Sequence, residues 1–315
     1  MSLTRALLDQ KSGATSIITQ IGNTPLLQLK SLEDRLPTGV EIFAKAEYLN
    51  PGGSVKDRAA WSMIQAAEKS GQLTPEKTIL DATSGNTGIA YALIGASRGY
   101  KVALCLPAHA SEGRKRILKA FGAEIILTDP LEGTDGAQRK AKELSVDTGR
   151  YFYPDQYNNP ANWQAHYEST APEIWLQTRG RVTHFVAGLG TTGTFVGTTR
   201  GLRRFFRDLT AVAMQPDNPM HGVEGMKHLA TAMVPGIYDA NLANETVEIS
   251  TEEAQEMTRH LAKREGLFVG VSSGGNVAAA LQVGRRLPVG SVVVTILCDT
   301  GSRDLSETFW HGDGI

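Results

Sequence analysis

The stretch Pro51-Gly52-Gly53-Ser54-Val55-Lys56-Asp57-Arg58 opens the first long helix that the sequence predicts. Its glycine pair can form a tight loop that brings backbone close to a ligand. Ser54 and Asp57 have the spacing of a capping box. Apolar residues then recur at the spacing of a buried helix face, at Ala59, Ala60, Met63, Ile64 and Ala67. Because Gly71 is expected to end this helix, Lys56 lies on its first turn.

The position of Lys56 has two interpretations. A lysine amine on a packed helix can act as a nucleophile and form an imine with a carbonyl compound. The alternative is a surface lysine paired with Asp57 or a neighbouring carboxylate, since most lysines are solvated. Features elsewhere in the sequence distinguish between these two interpretations.

Composition restricts the class of protein. The chain has 315 residues, of which 41% are hydrophobic and 21% charged, as in a soluble globular protein with room for two domains sharing a cleft. A net charge of −1 gives no electrostatic reason to expect nucleic acid or an anionic membrane as partner. Cys105 and Cys298 form no CxxC pattern, and no signal peptide or membrane-length apolar run is evident, so we expect a cytoplasmic protein. The seven histidines lack metal-ligand spacing, and no metal is expected.

The order of predicted elements indicates an α/β fold. From residue 79 onward, short apolar runs alternate with helical patterns, which is typical of parallel sheets flanked by helices. Ligands bind such sheets at the carboxyl ends of the strands. The loops that follow strands are therefore the candidate ligand sites.

The loop Gly188-Leu189-Gly190-Thr191-Thr192-Gly193-Thr194 follows a strand and opens a helix, which makes it a candidate anion site. It also satisfies G-x-G-x-x-G, so a dinucleotide site with Asp217 on the ribose remains an alternative. Three threonine hydroxyls are better suited to a terminal phosphate.

Two further loops have the same setting. Thr83-Ser84-Gly85-Asn86-Thr87-Gly88 carries hydroxyls and an amide but no lysine, so it fits a small carboxylate, the alternative being an ordinary turn. In Gly270-Val271-Ser272-Ser273-Gly274-Gly275, a serine hydroxyl can pair with a heteroaromatic nitrogen. One ligand reconciles these loops with an imine-forming lysine: pyridoxal phosphate (PLP) carrying an amino acid.

The motifs themselves resemble those of a known family. The chain is similar to cysteine synthases (O-acetylserine sulfhydrylases), of the tryptophan-synthase-β group, fold type II, of PLP enzymes. The resemblance rests on IGNTPL at 21–26, NPGGSVKDR at 50–58, ATSGNTG at 82–88, DQYNNP at 155–160, GTTGT at 190–194 and GVSSGG at 270–275. GTTGT, the stretch HYESTAPEIW at 166–175 and the chain's ending resemble the B form.

The resemblance implies a role for each matching residue. Lys56 would hold PLP as an imine and later take the substrate's α-proton. Ser272 would face the pyridine nitrogen and Asn86 the phenolic oxygen. The phosphate would be bound by Gly190, Thr191, Thr192, Gly193 and Thr194. The substrate carboxylate would be bound by Thr83, Ser84, Gly85, Asn86, Thr87 and Gln156, with Gly225 nearby.

The implied reaction is replacement of the activated hydroxyl of O-acetylserine, or of O-phosphoserine, by sulfide or thiosulfate through an aminoacrylate. The product would be L-cysteine or S-sulfocysteine. Lys227, a cation in a long loop, could bind a second anion, unless it is a solvated lysine on a mobile loop. Two alternatives stay open: another fold type II lyase, such as cystathionine β-synthase or serine/threonine dehydratase, and an NAD-dependent oxidoreductase.

The resemblance also implies an architecture and partners. We expect two domains, each a mostly parallel twisted sheet with helices, and the cofactor in the cleft between them. The smaller would span 52–155, with a mobile part at about 100–147; the larger would combine 18–51 with 156–315, after an N-terminal arm at 1–17. A homodimer is expected. The ending Asp313-Gly314-Ile315 resembles the tail of serine acetyltransferases, so this tail or such a partner could enter the active site.

Overall fold

The chain forms two separate β-sheets. The computed structural model describes residues 16–83, 85–303, 305 and 307–311. The larger sheet has the strand order β1-β2-β10-β7-β8-β9 and the smaller one β5-β4-β3-β6. All neighbouring strands are parallel except β1 and β2. The strands are β1 Leu26–Gln28, β2 Glu41–Ala46, β3 Thr78–Ala82, β4 Lys101–Pro107, β5 Glu124–Thr128, β6 Tyr151–Phe152, β7 His184–Gly188, β8 Thr210–Pro216, β9 Glu245–Ile249 and β10 Val292–Leu297.

Helices cover both faces of each sheet, as parallel strands require. The α-helices are α1 Lys56–Ser70, α2 Asn86–Arg98, α3 Glu112–Ala120, α4 Gly133–Leu144, α5 Pro160–Ala165, α6 Ala171–Gln177, α7 Gly193–Phe205, α8 Thr251–His260 and α9 Val271–Gly284. A π-helical turn, His166–Thr170, joins α5 to α6. The helical segment from Pro160 to Gln177 therefore widens in its middle.

The hydrophobic core follows this layering. One cluster of buried side chains lies between the larger sheet and α8 and α9, and a second lies on its other face beneath α7. The smaller sheet has a cluster on each face, one of which includes the apolar stripe of α1. The α/β class with two parallel sheets is thus confirmed. The smaller sheet takes its strands from residues 78–152, and the domain boundaries given above stay a prediction.

A buried cluster of charges fixes the start of α1 to the larger sheet. Arg58 lies on the first turn of α1, and its guanidinium pairs with Glu47 (Nε–Oε2 2.7 Å) and with Glu173 of α6 (Nη1–Oε1 2.7 Å). Lys45 of β2 pairs with the other oxygen of Glu173, at 2.6 Å. Arg58, Glu47 and Lys45 are almost completely buried. Each of these charges is paired, as burial demands.

Glu47 depends on these partners. Burial alone would raise the pKa of its carboxyl, but the charge and hydrogen bonds of Arg58 outweigh this and hold the pKa at about 2. A glutamate with a depressed pKa stabilises the fold above the pKa of the unfolded chain, about 4.5. That contribution is lost as the pH falls from about 4.5 towards 2.

We predict that Glu47→Gln lowers the free energy of unfolding by about 3 kcal/mol at pH 7, because Arg58 loses a buried counter-charge. The matched control is Glu41→Gln, which removes an exposed partner of Arg181 and costs less than about 1 kcal/mol. Urea unfolding between pH 7 and pH 3 checks both effects. The difference in the free energy of unfolding between wild type and Glu47→Gln becomes smaller below about pH 4.5. A difference that does not depend on pH, or that is no larger than the one between wild type and Glu41→Gln, would contradict this account.

Candidate active site

Lys56 lies where the two sheets meet. Helix α1 begins at Lys56, and its apolar face packs into the core of the smaller sheet. The loop before it is tied to the larger sheet, because the Val55 N–H donates to the carbonyl of Cys298 at 2.8 Å. The Thr300 N–H donates to the carbonyl of Gly53, at 3.2 Å. Residues 298–300 directly follow β10, so the carboxyl end of a central strand positions Lys56.

The predicted capping box at this helix is wrong. The residue preceding α1 is Val55, which offers no side-chain cap. Asp57 turns back instead, and its carboxylate accepts a hydrogen bond from the Gly52 N–H. A Cβ on Gly52 would lie 2.4 Å from Asp57 Oδ1, so glycine is required there. Asp57 therefore shapes the loop, and its burial raises its pKa to about 7.

The loop 83–88, predicted to bind a carboxylate and called the carboxylate loop below, lies at the end of β3 and leads into α2. Its backbone bends around Thr83, whose Oγ1 accepts from the Gly85 N–H at 3.2 Å. Asn86 begins α2, and its amide donates to Asp299 Oδ2 at 2.7 Å. The Thr87 hydroxyl donates to Gln156 Oε1 at 2.9 Å. Thus Gln156, predicted from a separate motif, joins this loop, whereas Ser84 lies outside the described residues.

A buried carboxyl group lies behind Gln156. Asp81, near the end of β3, is 3.5 Å from Gln156 Nε2 and accepts a hydrogen bond from the Ala82 N–H at 2.7 Å. Burial raises the pKa of Asp81 to about 7. Asp81 and Thr87 together orient both ends of the Gln156 amide.

The loop 188–194, predicted to bind a phosphate and called the phosphate loop below, lies at the end of β7 and leads into α7. Thr192 precedes the helix with a left-handed backbone, φ 71°. This conformation is costly for a β-branched residue. Thr192 is buried, and its hydroxyl has no hydrogen-bond partner among the described residues. A buried, unpaired hydroxyl at the start of a helix is a group that an anionic ligand would satisfy.

The remaining residues of this loop are tightly supported. A Cβ on Gly190 would lie 2.2 Å from the carbonyl oxygen of Gly225, which brings the segment carrying Lys227 against the loop. The Thr194 hydroxyl lies 3.3 Å from His166 Nε2. Burial lowers the pKa of His166 to about 3, so this imidazole is neutral near pH 7.

In the loop 270–275, the two serine side chains lie in different surroundings. Ser272, on the first turn of α9, lines the same cleft as Lys56. Ser273 is turned away from it, and its hydroxyl accepts from the Cys298 N–H at 2.8 Å. Ser272 is therefore the serine of this loop that lines the cleft, and its contact with a ligand stays a prediction.

These elements surround one cleft of about 330 Å³. Its lining combines residues predicted from all three loops and the lysine helix: Lys56, Thr83, Gly85, Asn86, Thr87, Gln156, Gly190, Thr191, Gly225, Lys227 and Ser272. Thr192 and Thr194 line a smaller recess that also contains Lys56 and Cys298. Gly193 is the first residue of α7 beside them. The structure thus brings the predicted residues that it describes to one place.

Lys227 meets the geometric condition for contact with a second anion, because it lines the cleft. Its ammonium nitrogen lies 5.1 Å from the centre of the Tyr157 ring. Burial lowers the pKa of Lys227, while the charge of Asp135 raises it. Contact between Lys227 and a ligand stays a prediction.

Asp299, Arg114 and Glu224 are among the residues of this cleft that sequence reasoning missed. Asp299 is half-buried, and its Oδ1, which is shielded from solvent, has no hydrogen-bond partner among the described residues. Arg114 of α3 forms a two-pronged ion pair with Glu224, across the mouth of the cleft. The position of Asp299 just after β10 could have identified it, since strand ends face the site. Nothing local in the sequence pairs Arg114 with Glu224.

Some expectations fall outside the described residues. These are the tail Asp313-Gly314-Ile315 and nearly all of the N-terminal arm. In the part of the chain that the structure describes, no helix is long and apolar enough to cross a membrane. Among the same residues, no group of three or more histidine, cysteine, aspartate or glutamate side chains could hold a metal ion.

Known proteins resemble this chain over nearly its whole length. The cysteine synthase of Aquifex aeolicus is 49% identical over 300 residues, which cover 94% of this chain and 92% of that protein. Cysteine synthase B of Salmonella typhimurium is 46% identical over 301 residues, covering 94% and 98%. The crystal structure of cysteine synthase (OASS) from Entamoeba histolytica superposes with a TM-score of 0.91 at 35% identity, covering 96% of this chain and 92% of that one.

A family model agrees with these relatives. The model described as "Pyridoxal-phosphate dependent enzyme" matches residues 17–299. That range includes Lys56 and all three loops, so the resemblance found in the motifs is confirmed. By this match and these identities, the chain belongs to the family of pyridoxal-phosphate dependent enzymes.

Proposed function

We propose that this protein is a cysteine synthase, which replaces the acetoxy group of O-acetylserine by sulfide and uses PLP as its cofactor. One observation carries the proposal: the amine of Lys56 shares a single cleft with two separate anion loops. The relatives named cysteine synthase support the same activity.

The residues of the cleft fit PLP. Its phosphate would be held at Gly190–Thr194, where the buried Thr192 hydroxyl needs a partner. Lys56 would bind its carbonyl carbon, Asn86 its phenolic oxygen and Ser272 its pyridine nitrogen. When bound, the cofactor supplies an electron sink for a carbanion at the substrate's Cα.

The substrate's carboxylate fits the loop at Thr83–Gly88. Backbone N–H groups at the start of α2, including that of Thr87, and the Gln156 NH₂ group are donors suited to a carboxylate, and the Thr87 hydroxyl orients that amide through Gln156 Oε1. Such contacts would hold the amino acid with its Cα near Lys56. Lys56 Nζ would then take the α-proton as general base.

Ser272 directs the outcome of the reaction. A serine hydroxyl cannot protonate a pyridine nitrogen as a carboxylic acid would. The negative charge at Cα is then less delocalised, which favours loss of the β-substituent over transamination. Sulfide would then bond to Cβ in place of the departed acetate, and Lys56 Nζ would return the proton to Cα, giving L-cysteine.

The ion pair between Arg114 and Glu224 would restrict access of water. Arg114 belongs to the segment 100–147, for which we propose movement on substrate binding, and Glu224 belongs to the segment 217–244 on the opposite side. A closed cleft protects a reactive intermediate from hydrolysis.

The direct test is product analysis with three substrate sets: O-acetylserine plus sulfide, serine plus homocysteine, and serine alone. We expect cysteine and acetate in equal amounts from the first set. Lys56→Ala should lower the rate by at least about a thousandfold, as expected for the loss of an essential nucleophile and base. The exposed Lys69 at the far end of α1 supplies the matched control, Lys69→Ala, which should keep full activity. Faster formation of cystathionine, or pyruvate from serine alone, would contradict the proposal.

The strained Thr192 gives a second test. Without cofactor, Thr192→Gly should be about 1 kcal/mol more stable than Thr192→Ala, because glycine adopts φ 71° without the steric cost that a Cβ brings. Both variants should bind PLP at least about tenfold more weakly, since a hydrogen bond to a charged group is lost. Thr192→Ser should keep the affinity of the wild type. Thermal unfolding and absorbance titration measure these quantities; equal stability of the glycine and alanine variants, or undiminished affinity in both, would refute this role.

A further inference from the structure

One side-chain amide connects the two anion loops. Asn162 lies in α5 and is 2% exposed. Its Nδ2 donates to the main-chain carbonyl of Gln156 at 2.7 Å and to the Thr191 hydroxyl at 3.1 Å. An amide NH₂ has two hydrogens, so these two acceptors use both of them.

On one side, Asn162 supports the phosphate loop. Besides its bond to Thr191, it packs directly on the backbone where α7 begins. A Cβ on Gly193 would lie 2.0 Å from Asn162 Oδ1, which leaves room only for glycine. Any shift of Asn162 would therefore displace Thr191 or Gly193.

On the other side, Asn162 supports the carboxylate loop. It holds the main chain of Gln156, whose side-chain Oε1 accepts from the Thr87 hydroxyl at 2.9 Å. Thr191, Asn162, Gln156 and Thr87 are each at most 9% exposed. They form one buried chain of contacts from the loop after β7 of the larger sheet to the loop after β3 of the smaller sheet.

The N-terminus of α5 is capped without the Asn162 side chain. The cap of α5 is Asn159, whose Oδ1 accepts from the Ala161 N–H at 3.0 Å. Asn159 also donates to the carbonyl of Pro154, at 2.8 Å. Of the two hydrogen bonds of the Asn162 amide, one goes to Thr191 of the loop after β7, and the other goes to the main chain of Gln156, whose side chain contacts the loop after β3.

We propose that Asn162 is a positioning residue that couples the phosphate site to the carboxylate site. The inference rests on the proposed function, because that function assigns a ligand to each loop. Buried hydrogen-bonded groups strengthen one another, so a phosphate that orders Thr191 also orders Asn162, Gln156 and Thr87. By thermodynamic linkage, a carboxylate bound at Thr87 tightens phosphate binding by the same factor.

The test uses the cofactor-free protein and two probes that form no bond with Lys56. Pyridoxine 5′-phosphate carries the phosphate without an aldehyde, and L-serine carries the amino-acid carboxylate. Calorimetry measures the affinity of each with and without the other. In wild type we expect each ligand to tighten the other by at least about fivefold, the lower end of typical coupling.

Asn162→Ala should bring this factor to about one. The matched control is Asn159→Ala, which removes an amide from the same helix without touching either loop. It should lower the melting temperature and leave the coupling factor unchanged. Loss of coupling in both variants, or in neither, would overturn the proposal.

If Asn162→Ala does not fold, amide hydrogen exchange of the wild-type protein with and without inorganic phosphate provides the test. Inorganic phosphate should slow exchange in residues 85–91 and 154–165 as well as in 188–196. Slowing confined to 188–196 would overturn the coupling. If wild type binds both probes but neither probe changes the affinity of the other, the coupling is wrong and the proposed function is unaffected. If it does not bind pyridoxine 5′-phosphate, the proposed function fails too.

Discussion

The hydrogen bond from the Val55 N–H to the carbonyl of Cys298 is the contact on which the site depends. It joins the last residue before α1 to the first residue after β10. The ion pairs of Arg58 fix the same helix one turn later, against Glu47 and Glu173. Without these anchors, Lys56 would belong to the smaller sheet alone. With them, it lies between an anion loop of each sheet.

Neither of the two loops proposed to bind anions, 83–88 and 188–194, carries a charged side chain. His166 is neutral near pH 7, because burial lowers its pKa to about 3. Burial raises the pKa values of Asp57 and Asp81 to about 7. The candidate hydrogen-bond donors of these two loops are hydroxyls, amides and the N–H groups at the starts of α2 and α7. Such donors are fixed by the backbone, so they favour orientation as well as affinity.

The sequence predicted the fold class and most residues of the cleft, since each motif carries its own signal. Glycines and hydroxyls after an apolar run mark a strand-to-helix loop whatever lies around it. The failures have two causes, a local hydrogen bond inside one loop and contacts between distant parts of the chain. Asp57 satisfies the Gly52 N–H of its own loop instead of capping α1. The pairs Arg114–Glu224 and Asn162–Thr191 join residues far apart in sequence, and no local pattern reveals them.

The central claim is that Lys56, held between the two loops, forms the bond to the cofactor. Lys227 is the alternative, because it lines the same cleft and burial lowers its pKa. The most direct measurement is to load the protein with PLP, reduce it with borohydride and map the modified peptide by mass spectrometry. The account predicts one phosphopyridoxyl group per chain, on Lys56. A label on Lys227 or any other lysine, or no label at all, would contradict it.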